Sequence, residues 1–475
     1  MKVLFATAEC APFFKTGGLG DVAGALPQAL KDQGVDISVV LPYFTKMPAQ
    51  YQNECEDLIQ FPIEMGEITQ PCTIKTLERQ QVRYYFIENA AYFDREQLYS
   101  YEDDGERFAF FSLSIIQLAK QLQLSLDYIH CNDHHTAIIP FLLKEKYQKD
   151  TAYQSVKSML TIHNIEFQGK YAPQMLPELF GLDLAAYHER QIFDQDGLNF
   201  MKAGILYADQ VTTVSPSYAK ELQTPDYGYG LDPLLREKNA KLTGILNGID
   251  YEVYDPGTDP LIPAHFSSAD LSGKEKDKQA LQTKMNLPVV AEVPLIGMVS
   301  RLTYQKGFPL VLSTIQELLQ HDVQVVLLGT GDPALEEAFQ QLAKKYSQKL
   351  RVNLQFDPAF AQLIYAGADL FLMPSKFEPC GLSQMIAMRY GTLPLVHETG
   401  GLRDTVVPYQ AGNPEATGFS FDSFQASALV STFENALTLF QTKPETWRQM
   451  ITNAMSKDFS WQASSQVYLQ LYHTQ

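Results

Sequence analysis

Lys15-Thr16-Gly17-Gly18-Leu19-Gly20-Asp21 sets a cation and a glycine pair directly before apolar residues at helical spacing, and Thr399-Gly400-Gly401-Leu402-Arg403-Asp404 nearly repeats it late in the chain. Glycine pairs ahead of helices often only turn the chain. Here Lys15 and the second copy point further: backbone N–H groups with no Cβ in the way, at the positive end of a helix dipole, suit an anion, and phosphate is the natural guest. Neither copy matches G-x-x-x-x-G-K-[ST] or G-x-G-x-x-G, so nucleoside triphosphatase and dinucleotide patterns are not indicated. Arg301 and Lys306 follow an apolar run at 294–299 and add two cations at a strand's carboxyl end, where a diphosphate would need neutralising.

Glu378 stands after the run 370–373 and before Pro379-Cys380-Gly381-Leu382. A carboxylate beside a helix start is often only a dipole partner. The backbone N–H groups of Cys380, Gly381 and Leu382 would also suit the hydroxyls of a sugar. His163 and Asn164 follow the run 159–162, and His130-Cys131-Asn132-Asp133-His134-His135 follows another. This cluster raises the question of metal, but its spacing matches no helical ligand pair, so the expectation is the rim of a sugar site with no metal and no cofactor.

The elements that must position these groups read as α/β. Strand-like runs at 37–41, 84–87, 159–162 and 211–214 alternate with helical patterns such as 108–124, which predicts a parallel, doubly wound sheet. The apolar face Leu19, Val22, Ala23, Leu26 and Leu30 predicts a helix after the first glycine loop. A stretch rich in Pro, Asp, Ser and Lys runs to about 286, and a second strand and helix series follows, with strands at 294–299, 323–328, 352–356 and 370–373. The chain of 475 residues thus reads as two Rossmann-like domains, 1–246 and 247–456, facing a central cleft in which ligand binds and which closes on it.

The net charge of −18 opposes non-specific attraction to nucleic acid or an anionic membrane, so neither is an expected partner and any phosphate must be held by a few local groups. Five cysteines without metal-site spacing fit free thiols in a reducing compartment. The apolar run at the N-terminus is too short for a signal peptide or a membrane span, so a cytoplasmic location is expected.

With these residues in view the chain resembles the bacterial glycogen synthases and plant starch synthases almost end to end. The matches include Lys15-Thr16-Gly17-Gly18-Leu19 with Asp21, Asn132-Asp133-His134-His135, Thr161-Ile162-His163-Asn164, and Thr224-Pro225-Asp226-Tyr227-Gly228-Tyr229-Gly230-Leu231. They continue through Asn247-Gly248-Ile249-Asp250, Ser300-Arg301-Leu302, Gln305-Lys306-Gly307, Glu378-Pro379-Cys380-Gly381-Leu382 and Asp458-Phe459-Ser460-Trp461. The resemblance implies a two-domain GT-B fold and transfer of glucose from ADP-glucose to the non-reducing end of an α-1,4-glucan such as glycogen, with retention and without a metal ion. It also implies that a last helix, about 457–475, returns to the first domain, which takes the glucan while the second takes the donor.

Roles follow from the same resemblance. Lys15, Gly17 and Gly18 are similar to the loop at the donor phosphate and acceptor side, with Thr399 and Gly400 in the second copy. Arg301 and Lys306 resemble the pair on the diphosphate, His163 the histidine at the reacting glucose, and Glu378 the carboxylate facing it. Asp21, Asn164 and Asn247 resemble further groups near the sugar, and Tyr99 with 224–231 parts of the acceptor groove. Three departures stand out: Ile386 replaces a second glutamate of the wider superfamily, Gly20 an alanine, which is expected to loosen the first loop, and Phe356 a tyrosine against the base, with Gln362 where a histidine is expected nearby. A UDP-sugar transferase of similar fold and a non-catalytic glucan-binding protein are the alternatives.

Overall fold

The computed structural model describes residues 1–187, 192–195 and 197–474. They form two compact units, Met1–Gly248 with Trp461–Gln475, and Ile249–Ser460. The division differs by a few residues from the expected one. Gly248 belongs to the first unit, where a Cβ on it would fall 2.6 Å from Trp461 N. Residues 457–460 stay with the second, because Ile249 N donates to Phe459 O at 2.8 Å and Tyr251 Oη donates to Lys457 O at 3.1 Å.

The first unit is built on nine strands: β1 (Lys2–Ala6), β2 (Asp36–Pro42), β3 (Glu56–Met65), β4 (Ile68–Arg79), β5 (Val82–Glu88), β6 (Tyr128–Asn132), β7 (Lys157–Ile162) and, after a small sheet of β8 (Lys170–Tyr171), β9 (Phe193–Asp194) and β10 (Gly197–Asn199), β11 (Gln210–Thr213) and β12 (Leu242–Gly244). Their order is β12-β11-β7-β6-β1-β2-β5-β4-β3, parallel except where β4 runs against both β3 and β5. The central strands are buried almost end to end, as strands covered on both faces must be, with polar residues such as His130, Asn132 and Thr161 at or near their carboxyl ends. The Gly18–Asp32 helix buries Leu19, Val22, Ala23, Leu26 and Leu30 as its spacing predicts. The Trp461–His473 helix packs Trp461, Tyr468 and Tyr472 into the same core, and His130 exchanges a 2.6 Å hydrogen bond with Tyr472 Oη.

The second unit carries β13 (Leu295–Val299), β14 (Gln324–Leu328), β15 (Leu350–Asn353), β16 (Leu370–Met373), β17 (Leu393–His397) and β18 (Phe419–Phe421), all parallel, in the order β15-β14-β13-β16-β17-β18. This is the 3-2-1-4-5-6 Rossmann order, whose direction reverses between β13 and β16. In the first unit the reversal lies between β1 and β6. Loops leaving the carboxyl ends of strands at such a point diverge and leave a crevice, which explains where the polar residues collect. No helix among the described residues is long and apolar enough to cross a membrane. All five cysteines are free thiols.

Candidate active site

In the second unit two loops leave the reversal point side by side. Residues 300–307 follow β13 and carry Arg301 and Lys306; residues 374–382 follow β16 and carry Ser375 and Glu378. Lys306 Nζ lies 2.6 Å from Glu378 Oε2 in an ion pair whose side chains are 17% and 8% exposed. Ser375 Oγ donates to the same oxygen at 3.0 Å. Glu378 Oε1 takes no hydrogen bond among the described residues, and Arg301 is exposed without an ion pair. The loops interlock. Lys376 N donates to Gln305 O at 2.8 Å, and Gly307 at φ +78° sits where a Cβ would fall 2.0 Å from Pro374 O.

The second glycine motif lies beneath Glu378. Gly401 N donates to Glu378 O at 3.1 Å, and a Cβ on Gly400, at φ +43°, would fall 2.0 Å from that carbonyl. Gln384 Nε2 donates to Cys380 O at 3.1 Å, Gly381 O at 2.9 Å and Thr405 Oγ1 at 3.1 Å, which fixes the turn through Gly381 and Leu382. Thr399 is buried and opens the Gly400–Thr405 helix.

In the first unit the polar residues come from the neighbouring strands β1, β6 and β7. After β1, the buried Glu9 carboxylate accepts from Thr16 Oγ1 at 3.0 Å and from Thr16 N, clamping the Lys15 loop. Burial pushes the Glu9 carboxyl above its ordinary value, against the lowering pull of the Thr16 bonds. Lys15 pairs with Asp21 at the surface. Gly17 and Gly18 have nothing within 4 Å of where a Cβ would stand. After β6, Asp133 Oδ1 accepts from the backbone of His163 at 2.7 Å and of Asn164 at 3.3 Å. Burial raises the Asp133 carboxyl to about 7 and lowers the His163 imidazole to about 3. His163 is therefore neutral across the physiological range.

The structure thus brings Arg301, Lys306, Glu378, Cys380, Gly381, Leu382, Thr399 and Gly400 together in one unit, and Lys15, Gly17, Gly18, Asp21, His163 and Asn164 in the other. Asn247 is buried, and its Oδ1 has no partner among the described residues. Tyr99 stacks on His135 with ring centroids 4.5 Å apart, its hydroxyl buried without a partner among the described residues. Phe356 lies beyond the strand expected to carry it: β15 ends at Asn353, opposite the last residue of β14, and the ring is 85% exposed. Gln362 serves structure, its Nε2 donating to Asp259 Oδ2 at 3.0 Å and Val253 O at 3.2 Å. Gly20 does not loosen the first loop, because a Cβ there would fall 2.3 Å from Lys15 Cβ; its absence lets the loop close down on the helix. Among the described residues no group of three or more His, Cys, Asp or Glu is placed to hold a metal ion.

Sequence reasoning did not single out Glu9, Ser375 or Phe167. Glu9 and Ser375 could have been found as polar residues within a few positions of a strand's carboxyl end. Phe167, 59% exposed, follows His163 by four residues, and the adjacent Gln168 donates through Nε2 to the backbone O of Tyr229, itself 41% exposed.

The chain is similar to known proteins along its whole length. The family model "Starch synthase catalytic domain" matches residues 2–237, and "Glycosyl transferases group 1" matches 282–456. The chain is 54% identical to a glycogen synthase of Lactococcus lactis over 475 residues, covering 99% of each chain, and 52% identical to one of Streptococcus sanguinis over 474 residues, covering 100% of each. Among solved structures it is similar to the catalytic domain of starch synthase IV from Arabidopsis thaliana bound to ADP and acarbose, with a TM-score of 0.90, 34% identity and coverage of 99% and 98%. A sucrose-phosphate synthase from Thermosynechococcus elongatus, at TM-score 0.63, 18% identity and full coverage of both chains, shares the fold. With two Rossmann-like units of GT-B type and end-to-end relatives of one kind, the chain belongs to the glycogen and starch synthase family of glucosyltransferases.

Proposed function

We propose that this enzyme transfers glucose from ADP-glucose to the non-reducing end of an α-1,4-glucan with retention of configuration, in the cytoplasm. The second unit takes the donor, and the first unit, with its returning helix, takes the glucan. The observation that carries this reading is the pairing of Lys306 with Glu378 beside Arg301, which has no ion pair among the described residues: two cations and a carboxylate at one crevice. The cations neutralise the diphosphate as the C1–O bond breaks, which is the large electrostatic contribution in such transfers. Lys306 holds Glu378 through Oε2 and leaves Oε1 to orient the glucosyl group and stabilise its positive charge. No residue is an unambiguous nucleophile, so the departing phosphate oxygen accepts the proton of the incoming hydroxyl on the same face. A glucosyl ester trapped on Glu378 would replace this with double displacement.

Further support comes from groups whose state asks for a ligand: the orphaned Asn247 Oδ1, the open space over Gly17 and Gly18, and the bare Phe356 ring, which suits a base. Transfer of labelled glucose to glycogen from ADP-glucose and from UDP-glucose tests the reading. Faster transfer from ADP-glucose is expected. Preference for UDP-glucose would select the other transferase, and glycogen binding with no transfer from either donor would select a glucan-binding protein.

A further inference from the structure

We infer that Asn132 is a positioning residue for His163, holding its imidazole as the neutral tautomer with the proton on Nε2 and Nδ1 offered as an acceptor to a substrate hydroxyl. Asn132 is the last residue of β6 and is 1% exposed. Its Nδ2 donates to Ala6 O at 3.0 Å and to His130 O at 3.4 Å. Reversing the amide would set its oxygen against two carbonyls, so the orientation is fixed by backbone that cannot donate. Asn132 Oδ1 therefore faces His163 Nε2, 2.9 Å away, and an amide oxygen can only accept. The hydrogen is on Nε2. Nδ1 has no hydrogen bond within the described residues, and its lone pair is the one ring site left for a ligand.

The rest of the surroundings act on the backbone or on charge. Asp133 holds the His163 main chain, and Glu9 lies beyond it. His130 is occupied by Tyr472 and Thr161, and His135 lies near Arg107. Tyr218 Oη accepts from Ile165 N. None of these reaches Nε2, so the tautomer rests on Asn132.

The direct test needs no variant of Asn132. Nitrogen-15 NMR of the histidine-labelled enzyme, with His163 assigned by the resonance missing from His163→Gln, should show a protonated Nε2 and a bare Nδ1 from pH 5 to 8. A protonated Nδ1, or an imidazolium in that range, overturns the inference. The kinetic test rests on the glucosyltransferase reading; the NMR test does not, so the two can fail separately. Asn132→Leu should lower kcat about tenfold at every pH and leave the glucan KM little changed, as expected when a histidine loses its orienting partner. Asn132→Asp sets a carboxylate against Nε2 and favours the imidazolium, whose Nδ1 proton removes the acceptor. Its kcat/KM should gain an acid limb that the parent lacks and recover at alkaline pH to within about threefold of the parent. Equal losses in both variants with the parent's pH profile would show Asn132 to be packing alone.

Discussion

The two Thr-Gly-Gly-Leu loops are nearly the same sequence and need their glycines for opposite reasons. At Thr399 the glycines are filled in: each Cβ would strike backbone, Glu378 O at 2.0 Å for Gly400 and Cys380 O at 2.1 Å for Gly401. At Thr16 they are empty, with nothing within 4 Å of either position. One loop uses glycine so that the protein can come close to itself; the other leaves space the protein does not fill. A shared motif therefore does not give a shared role, and what lies around each Cβ separates the two.

Alanine substitution puts that contrast at risk with the largest effects. Gly400→Ala must leave a left-handed backbone and push against the Glu378 carbonyl, so it should cost upward of about 3 kcal/mol of stability in chemical denaturation and take activity with it. Gly18→Ala meets no atom and lies at a helix start, so it should be neutral or more stable by about 0.5 kcal/mol. Its transfer rate should nonetheless fall at least about tenfold if a ligand group occupies the open space. A fully active Gly18→Ala enzyme would mean that the space is simply empty.

The lysines beside the two sites give the next contrast. Lys306 neutralises a carboxylate that is 8% exposed, whereas Lys15 and Asp21 are 43% and 39% exposed. Lys306→Ala strands a buried charge and removes a cation from the leaving group. It should cost about 3 kcal/mol in kcat/KM and a comparable amount of stability. Arg301→Ala, with no buried partner, should show the kinetic loss without the stability loss. Lys15→Ala should change stability by less than about 1 kcal/mol, as exposed pairs do, so any large kinetic loss there belongs to substrate. Comparable losses of stability for Lys15→Ala and Lys306→Ala would erase the distinction.

Much of this was readable from sequence where burial is apolar. The run 370–373 and the helix behind Lys15 have the periodicity of the faces they bury. The Ser272–Lys284 helix was invisible because its buried face is polar: Gly273, Lys274, Asp277, Lys278, Leu281 and Gln282. Lys274 Nζ donates to Ala366 O at 2.9 Å, Tyr390 O at 3.0 Å and Thr392 Oγ1 at 2.7 Å, partners supplied by segments some hundred positions away. The β3 and β4 hairpin was missed because its exposed positions include Leu58, Pro62, Ile68 and Pro71 as well as charges, which blurs the contrast with the buried Phe61, Ile63, Met65, Cys72, Ile74 and Leu77. The extended pattern at 352–356 ran past the true end of β15 because alternation records pleat, not the length of the neighbouring strand. In the site, Lys306 and Glu378 were legible from their places at strand ends. The clamp from Glu9 to Thr16 was not, because it depends on a loop folding back.

Two exposed aromatic rings test the division of labour between the units. Phe356 is 85% exposed, which removes core packing as the reason for a phenylalanine there, and Phe167 is 59% exposed. Phe356→Ala should weaken ADP-glucose binding by about 1–3 kcal/mol, the worth of a stacked base, and leave glucan affinity and melting unchanged. Phe356→Tyr should shift donor affinity only modestly. Phe167→Ala should weaken glucan affinity and spare the donor, since an exposed aromatic face four residues after His163, on the turn whose Phe167 N donates to Asn164 O, suits the apolar face of a sugar. Crossed effects, with Phe167 governing the donor, would reverse the assignment of the units.

The smallest expected effect concerns the carboxylate behind each loop and has a sign that depends on pH. Burial raises the Glu9 carboxyl above the 4.5 of an unperturbed glutamate, so its protonated form is the one that folding favours. The stability it contributes is fully present below about pH 4.5 and is lost as pH rises through the raised value. Glutamine keeps an acceptor for Thr16 and stays neutral throughout. Glu9→Gln should therefore match the parent near pH 4 and become the more stable protein toward pH 7, seen as a gap in denaturant midpoint that widens across that range. Glu378→Gln should go the other way at neutral pH, because there the charge is matched by Lys306 and its removal leaves the ammonium without its partner. If both substitutions stabilise, the carboxylate in the second unit is as uncompensated as the one in the first, and the contrast between a loop that grips a ligand and a loop that grips its own backbone has to be drawn without electrostatics.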